Sequence, residues 1–178
     1  MMRFLSGAFA AILALSVAQA SPAGAAEGLN DATIFAIFDQ ANMADIATGR
    51  LGWKKGDSEE VRALAKMVVT DHSAVQRMGR DVAETMGILG TPPDGDGSWA
   101  AQAAALEKLD KLSGREFDEA YLRYEIAYHT AVIEAIETTL LPAIEDPDFK
   151  ALVEKVLPGF KHHLAATRQA ADGMGIGY

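Results

Sequence analysis

Residues 58–86 read SEEVRALAKMVVTDHSAVQRMGRDVAETM, and this stretch decides the fold. Val61, Leu64, Ala65, Val68, His72, Val75 and Val82 recur at steps of three and four, the period of one face of an α-helix. Asp57 followed by Glu60 fits a capping box at its start. Gly87 and Gly90, then Thr91-Pro92-Pro93-Asp94-Gly95-Asp96-Gly97, end it in a loop.

The same period continues on both sides. Upstream, Ile34, Phe35, Phe38, Ala41 and Asp45 share a face of a helix from about Asn30 to Gly52, with Asn30 or Asp31 as cap and Gly49, Gly52 and Lys54-Lys55-Gly56 as stop signal. Downstream, a third long helix begins near Ser113, which forms a capping box with Glu116, and ends at Pro142. Phe117, Leu122, Ile126, His129, Val132, Ile133, Ile136 and Leu140 make its stripe. Asp146 caps a fourth helix with Pro147 at its first position, and Pro158-Gly159 predicts a kink or break within it. The Ala-rich stretch Trp99 to Lys111 fits a short helix.

No segment alternates with period two. The chain is therefore read as all-α, with four amphipathic helices burying their stripes against one another. The long connection from Gly87 to Ser113, between helices two and three, points to a ferritin-like four-helix bundle, with simple up-down-up-down as the alternative.

Residues 1–26 read as an address. Arg3 precedes a short apolar run from Phe4 to Val17, and Ala18-Gln19-Ala20 and Gly24-Ala25-Ala26 are small-residue cleavage sites. The run is shorter than the ~20 residues of a spanning helix. The expected organisation is a signal peptide over 1–26, cleaved after Ala20 or Ala26, a helical domain over 27–172 and a flexible tail over 173–178. It implies a periplasmic or secreted protein with no transmembrane span after cleavage.

The whole chain has 178 residues, no cysteine and a formal charge of −9, and Arg3 is the only charge lost with residues 1–26. Without cysteine there is no disulfide framework, thiolate metal site, iron–sulfur cluster, cysteine nucleophile or covalent haem. The acidic balance argues against a nucleic-acid partner. Any metal must be held by histidine and carboxylate.

The chain has four histidines, His72, His129, His162 and His163. His72, His129 and His163 lie in the apolar stripes, and His162 points about 100° away from His163, toward water. Counting rise along the helices places the three about 23, 24 and 26 Å from helix ends that lie together in the ferritin-like topology. Asp45 falls ~7–10 Å off that layer by the same count, and Glu125 lies one turn before His129. These five residues are the candidate metal ligands. The alternative is a buried polar network in which neutral histidines bond Asn42, Tyr121, Tyr124, Tyr128 or a carboxylate and fix helix register.

Di-iron bundles carry Glu-x-x-His on two helices. The third residue before His72 is Val69, before His129 Ile126 and before His163 Phe160, so ferroxidase or oxygenase chemistry lacks its ligand set. Asp71-His72-Ser73 contains triad residue types, but helix neighbours diverge too widely to form a relay. No catalytic residue is assigned.

Several stretches together resemble one bacterial family, the domain-of-unknown-function 4142 proteins, often labelled outer membrane proteins. These are Asn42-Met43-Ala44-Asp45-Ile46 with Gly49, Val61 to Ala65, Met67-Val68-Val69-Thr70-Asp71-His72-Ser73, Phe117-Asp118-Glu119-Ala120-Tyr121-Leu122 with His129, and Leu157-Pro158 with His163-Leu164. The resemblance spans about Asp31 to Ala170. It implies a ferritin-like bundle with a signal peptide, and the family's histidines fall on His72, His129 and His163. Where members tend to carry Glu, this chain has Asp45, one methylene shorter. A membrane barrel needs alternating strands, which the sequence does not offer.

Three functional expectations follow. The first is an exported, non-enzymatic binding or stress-related protein. The second is a metal-binding, or metal-oxidising, bundle using the histidine layer. The third is an interaction module docking an envelope protein or a second copy of itself.

Overall fold

The computed structural model describes residues 29–178. The signal-peptide reading of 1–26 and its cleavage sites lie outside them. Among the described residues the chain is all-helical, with no strand.

Each helix begins where a short polar side chain replaces the missing backbone partner. Asn30 accepts from the Thr33 N–H and opens α1 (Asp31–Lys55). Ser58, one residue later than the Asp57 cap expected, accepts from Val61 N–H and opens α2 (Glu59–Met86), which Gly87 closes in the left-handed conformation. The expected Asp57–Glu60 box is displaced because another carboxylate serves this turn: Asp118 accepts from the N–H groups of Asp57 and Ser58, both at 2.8 Å. α3 (Ser98–Asp110) confirms the short Ala-rich helix.

Ser113 precedes α4 (Gly114–Ala135), although its side chain makes no cap hydrogen bond. α4 does not stop before Pro142. It passes through a π-helical turn (Ile136–Leu140) into the single turn α5 (Leu141–Ala143), with Leu141 N–H bonding the carbonyl of Ile136. A proline ring clashes with the carbonyl four residues earlier, and the wider turn just ahead of Pro142 accommodates it. Asp146 caps α6 (Pro147–Gly173) through the Asp148 and Phe149 N–H groups, as expected.

The break expected at Pro158-Gly159 does not occur in α6. The helix runs unbroken through Pro158, which is exposed, as is Glu154, whose carbonyl loses its donor on the water side. The segment 173–178, read as a flexible tail, folds back. Ile176 is buried and donates to the Ala171 carbonyl, while Arg115 and Arg123 donate to the carbonyls of Met174 and Gly177.

Hydrogen bonds between elements fix the helix directions. After α2 the chain returns to the start of α1, where Thr91 N–H meets the Ala32 carbonyl. α3 then climbs beside α1: Ser98 meets Gln40, Gln102 donates to Ala44 and Thr48, and Lys55 pairs with Asp110. α4 therefore starts at the end where α2 starts, as the Asp118 clamp shows, and runs parallel to it. At the opposite end Asp31 accepts from the Glu145 and Asp146 N–H groups at 3.0 and 2.8 Å. In closest packing α1 neighbours α2, α2 neighbours α6, α6 neighbours α4, and α1 and α4 close the ring most loosely.

The stripes meet in two apolar clusters. One centres on Ile34, Phe38, Ile133, Ile136, Phe149 and Phe160, the other on Val61, Leu64, Phe117, Tyr121, Leu122 and Ile126. Between them lies a layer of buried polar side chains.

Candidate metal centre

The layer holds Asn42 and Asp45 from α1, His72 from α2, Glu125 and His129 from α4, and His163 and Thr167 from α6, all buried. His162 is exposed, as the helical phase requires. All five candidate ligands are brought together, in two overlapping groups. One atom each from His72, His129 and His163 lie within 4.8 Å of one another, and so do atoms of Asp45, Glu125 and His129.

Asp45 stands closer than the rise count implied. Its Oδ2 lies 2.8 Å from His72 Nε2 and 3.3 Å from His129 Nε2. The reason is side-chain direction. Every Cα–Cβ bond tilts toward its helix N-terminus, so Asp45 on α1 and His72 on the antiparallel α2 lean toward one another.

Outer partners assign each ring's tautomer. Asn42 Nδ2 donates to the Phe38 carbonyl, which leaves its Oδ1 to accept from His72 Nδ1 at 2.9 Å. His129 Nδ1 donates to the Glu125 backbone carbonyl at 3.0 Å. His163 Nε2 donates to Asp71 Oδ2 at 2.9 Å. In neutral rings the opposite nitrogens carry bare lone pairs, and all three turn inward: His72 Nε2, His129 Nε2 and His163 Nδ1. His72 Nε2 and His163 Nδ1 are 3.2 Å apart.

The charges follow. Burial alone would raise the Asp45 carboxyl, but positive charge on the facing rings, His72 before His129, and hydrogen bonds from His72 and Glu125 hold it well below the ordinary carboxylate range. Burial, then the Asp45 carboxylate, push Glu125 well above its ordinary value. Burial lowers His129 and His163 despite Asp45 and Asp71 beside them, which favours the neutral rings.

The result is a surplus of acceptors. Both oxygens of Asp45, both of Glu125, Nε2 of His129 and the Tyr121 hydroxyl are buried without a hydrogen bond of good geometry, although Asp45 stands within reach of His72 and of the Glu125 carboxyl, and Glu125 within reach of Tyr121. Each such group costs about 1–3 kcal/mol if left unpaired. One added proton on His72 would serve Asp45 or His163 but not both, and would leave His129 Nε2 bare. A cation would engage His129 Nε2 together with one atom from each other member of either group. The separations of 2.8–3.3 Å approach the ~3.4 Å between ligands at 2.0–2.1 Å on a tetrahedron. Backing of each inward histidine by an outer acceptor is also the usual support of metal-binding imidazoles.

Asp71 was not picked out as a support for this site. It sits on the exposed side of α2 and reaches a ring on α6, and nothing in its local spacing announces a partner on another helix.

A family model described as Domain of unknown function (DUF4142) matches residues 15–170. No curated protein and no solved structure matches the chain.

Proposed function

The chain belongs to the DUF4142 family, and from that premise we propose that it is an exported ferritin-like four-helix protein that binds one divalent first-row transition-metal cation between its two apolar clusters. The parallel run of α2 and α4, joined by a crossover that carries α3, supports the ferritin-like topology. The observation that carries the metal reading is the meeting of two buried donor groups, His72/His129/His163 and Asp45/Glu125/His129, at the unpaired Nε2 of His129.

Nitrogen with one carboxylate oxygen suits zinc, iron, copper or nickel better than calcium or magnesium, which prefer all-oxygen shells. His72, His129, His163 and Asp45 would hold the ion. Glu125 is placed to join it or to balance its charge. The role is binding rather than turnover.

Metal analysis of protein recovered from the periplasmic fraction tests this. We expect one equivalent of cation, lost in His129→Ala combined with His163→Ala. Intact mass should place the mature N-terminus at Ser21 or Glu27. Protein that carries no metal and is unchanged by titration with iron, copper or zinc would establish the buried polar network instead.

A further inference from the structure

A cavity of ≈ 30 Å³ adjoins the layer. Its floor is Asn42, Asp45, His72 and His129, and its walls are Ile37, Phe38 and Ala41 of α1, Tyr128, Val132 and Ala135 of α4, Ile136 and Leu140 of the π-turn, and Phe160 of α6. It therefore lies in the α1–α4 seam, the loosest of the four.

α3 covers the seam along only half its length. Beyond the layer, α3 seals it: Gln102 donates to Ala44 and Thr48 of α1 and accepts from Tyr124 of α4. α3 begins beside Gln40, and below that point the loop at Gly90 and Thr91 meets α1 at Ala36 and Ala32 instead. Ile37, Ala41, Val132 and Ala135 are only half-buried. The π-turn forms the far wall. Such turns widen a helix by one residue and recur at functional sites.

The chemistry of the walls selects what fits. They present carbon, and the one wall hydroxyl, Tyr128, is engaged by the Ala41 carbonyl at 3.0 Å. No cationic or free donor group lines the pocket, and the Asp45 carboxylate at its floor repels anions. The volume is about two to three times the ~10–15 Å³ that one water needs, enough for a diatomic molecule. Asp45, His72 and His129 are among its lining residues, so the inner end of the pocket abuts the polar layer.

We propose that this pocket admits a small uncharged diatomic molecule, of the class of dioxygen and nitric oxide, to the edge of the cation site. The proposal deepens the metal reading and rests on it.

Two probes separate their failures. Xenon needs no cation: in cation-free protein it should give saturable methyl shifts at Val132, Ile136 and Leu140, lost in Ala135→Leu. Nitric oxide, added anaerobically to the Fe(II)-loaded protein, should give an iron–nitrosyl signal by electron paramagnetic resonance. Ala135→Leu and Ala41→Leu should slow its formation at least tenfold at unchanged iron stoichiometry. Absent xenon shifts overturn the pocket whatever the iron does. Iron that loads but forms no nitrosyl, or forms it equally fast in both variants, overturns access to the cation. Xenon binding with no iron uptake overturns the cation reading, and the coordination of the diatomic molecule with it.

Discussion

Glu125 is the residue whose burden is easiest to isolate, because it is fully buried beside the Asp45 carboxylate. Its carboxyl is raised by burial and by Asp45, so the folded state holds that proton more tightly than the unfolded chain does. Stability from this group is lost as pH rises from about 4.5, its ordinary value. His129 and His163 act in the opposite sense. Their folded values lie below 6.5, so the unfolded chain binds more protons and stability grows as pH rises to about 6.5. In chelator, Glu125→Gln should therefore raise the melting temperature at pH 8, and its advantage should shrink toward pH 4.5. The variant should also show a steeper rise from pH 5 to 6.5. The same change should weaken cation binding by about tenfold or more, as loss of a supporting carboxylate does. Equal melting curves at pH 8 would refute the assigned burden. At this scale the three histidines were legible because each falls in an apolar stripe. Asp45 was legible in identity but not in depth, since rise counting ignores the opposed lean of side chains on antiparallel helices.

At the scale of the element, glycine shows how a residue type misleads when its neighbours are unknown. Gly49 and Gly52 read as the end of α1, yet the helix continues to Lys55 and both are buried inside it. They are there for contact. A Cβ at Gly52 would lie 2.6 Å from the Tyr121 ring and 3.0 Å from the Ala65 Cβ. Tyr121 has no room to yield, being fully buried and stacked on Phe117 at 5.9 Å. Gly52→Ala should lose about 1–3 kcal/mol to overpacking, against about 1 kcal/mol gained by removing glycine from a helix, and so should destabilise. Gly159→Ala on α6 is the control: nothing lies within 4 Å of its added Cβ, and the propensity gain should stand alone. Urea unfolding of the two variants should move in opposite directions, and parallel shifts would contradict this packing. Caps were more legible than breaks for the same reason. Asn30 and Asp146 act on their own next turn, whereas the Asp118 clamp and the exposure of Pro158 depend on helices far away in the chain.

The whole molecule is a trade between two apolar clusters and the polar layer that divides them. The all-α class and the long connection from helix two to helix three were visible in the periodicity. That connection pointed to a crossover and left simple up-down-up-down open, because the choice depends on α3 meeting α1 through Gln102 and Lys55. Because the polar layer draws on α1, α2, α4 and α6, an ion bound there would stabilise the folded chain and scarcely the unfolded one. At a cation concentration of 1,000 times Kd the gain is about 4 kcal/mol. At about 2–4 °C per kcal/mol for a domain of this size, zinc should raise the melting temperature of chelator-treated protein by roughly 10 °C. The chain's formal charge of −9 supplies the competing explanation, since any divalent ion gathers on an acidic surface and relieves self-repulsion. Diffuse binding does not distinguish zinc from magnesium and fades as salt screens it. The buried layer does distinguish them, because its donors are mainly nitrogen. Zinc should therefore act in 0.5 M salt where magnesium does not, and His129→Ala with His163→Ala should abolish the difference. A zinc effect that magnesium reproduces, or that salt removes, would assign the stabilisation to the surface and leave the histidine layer without its cation.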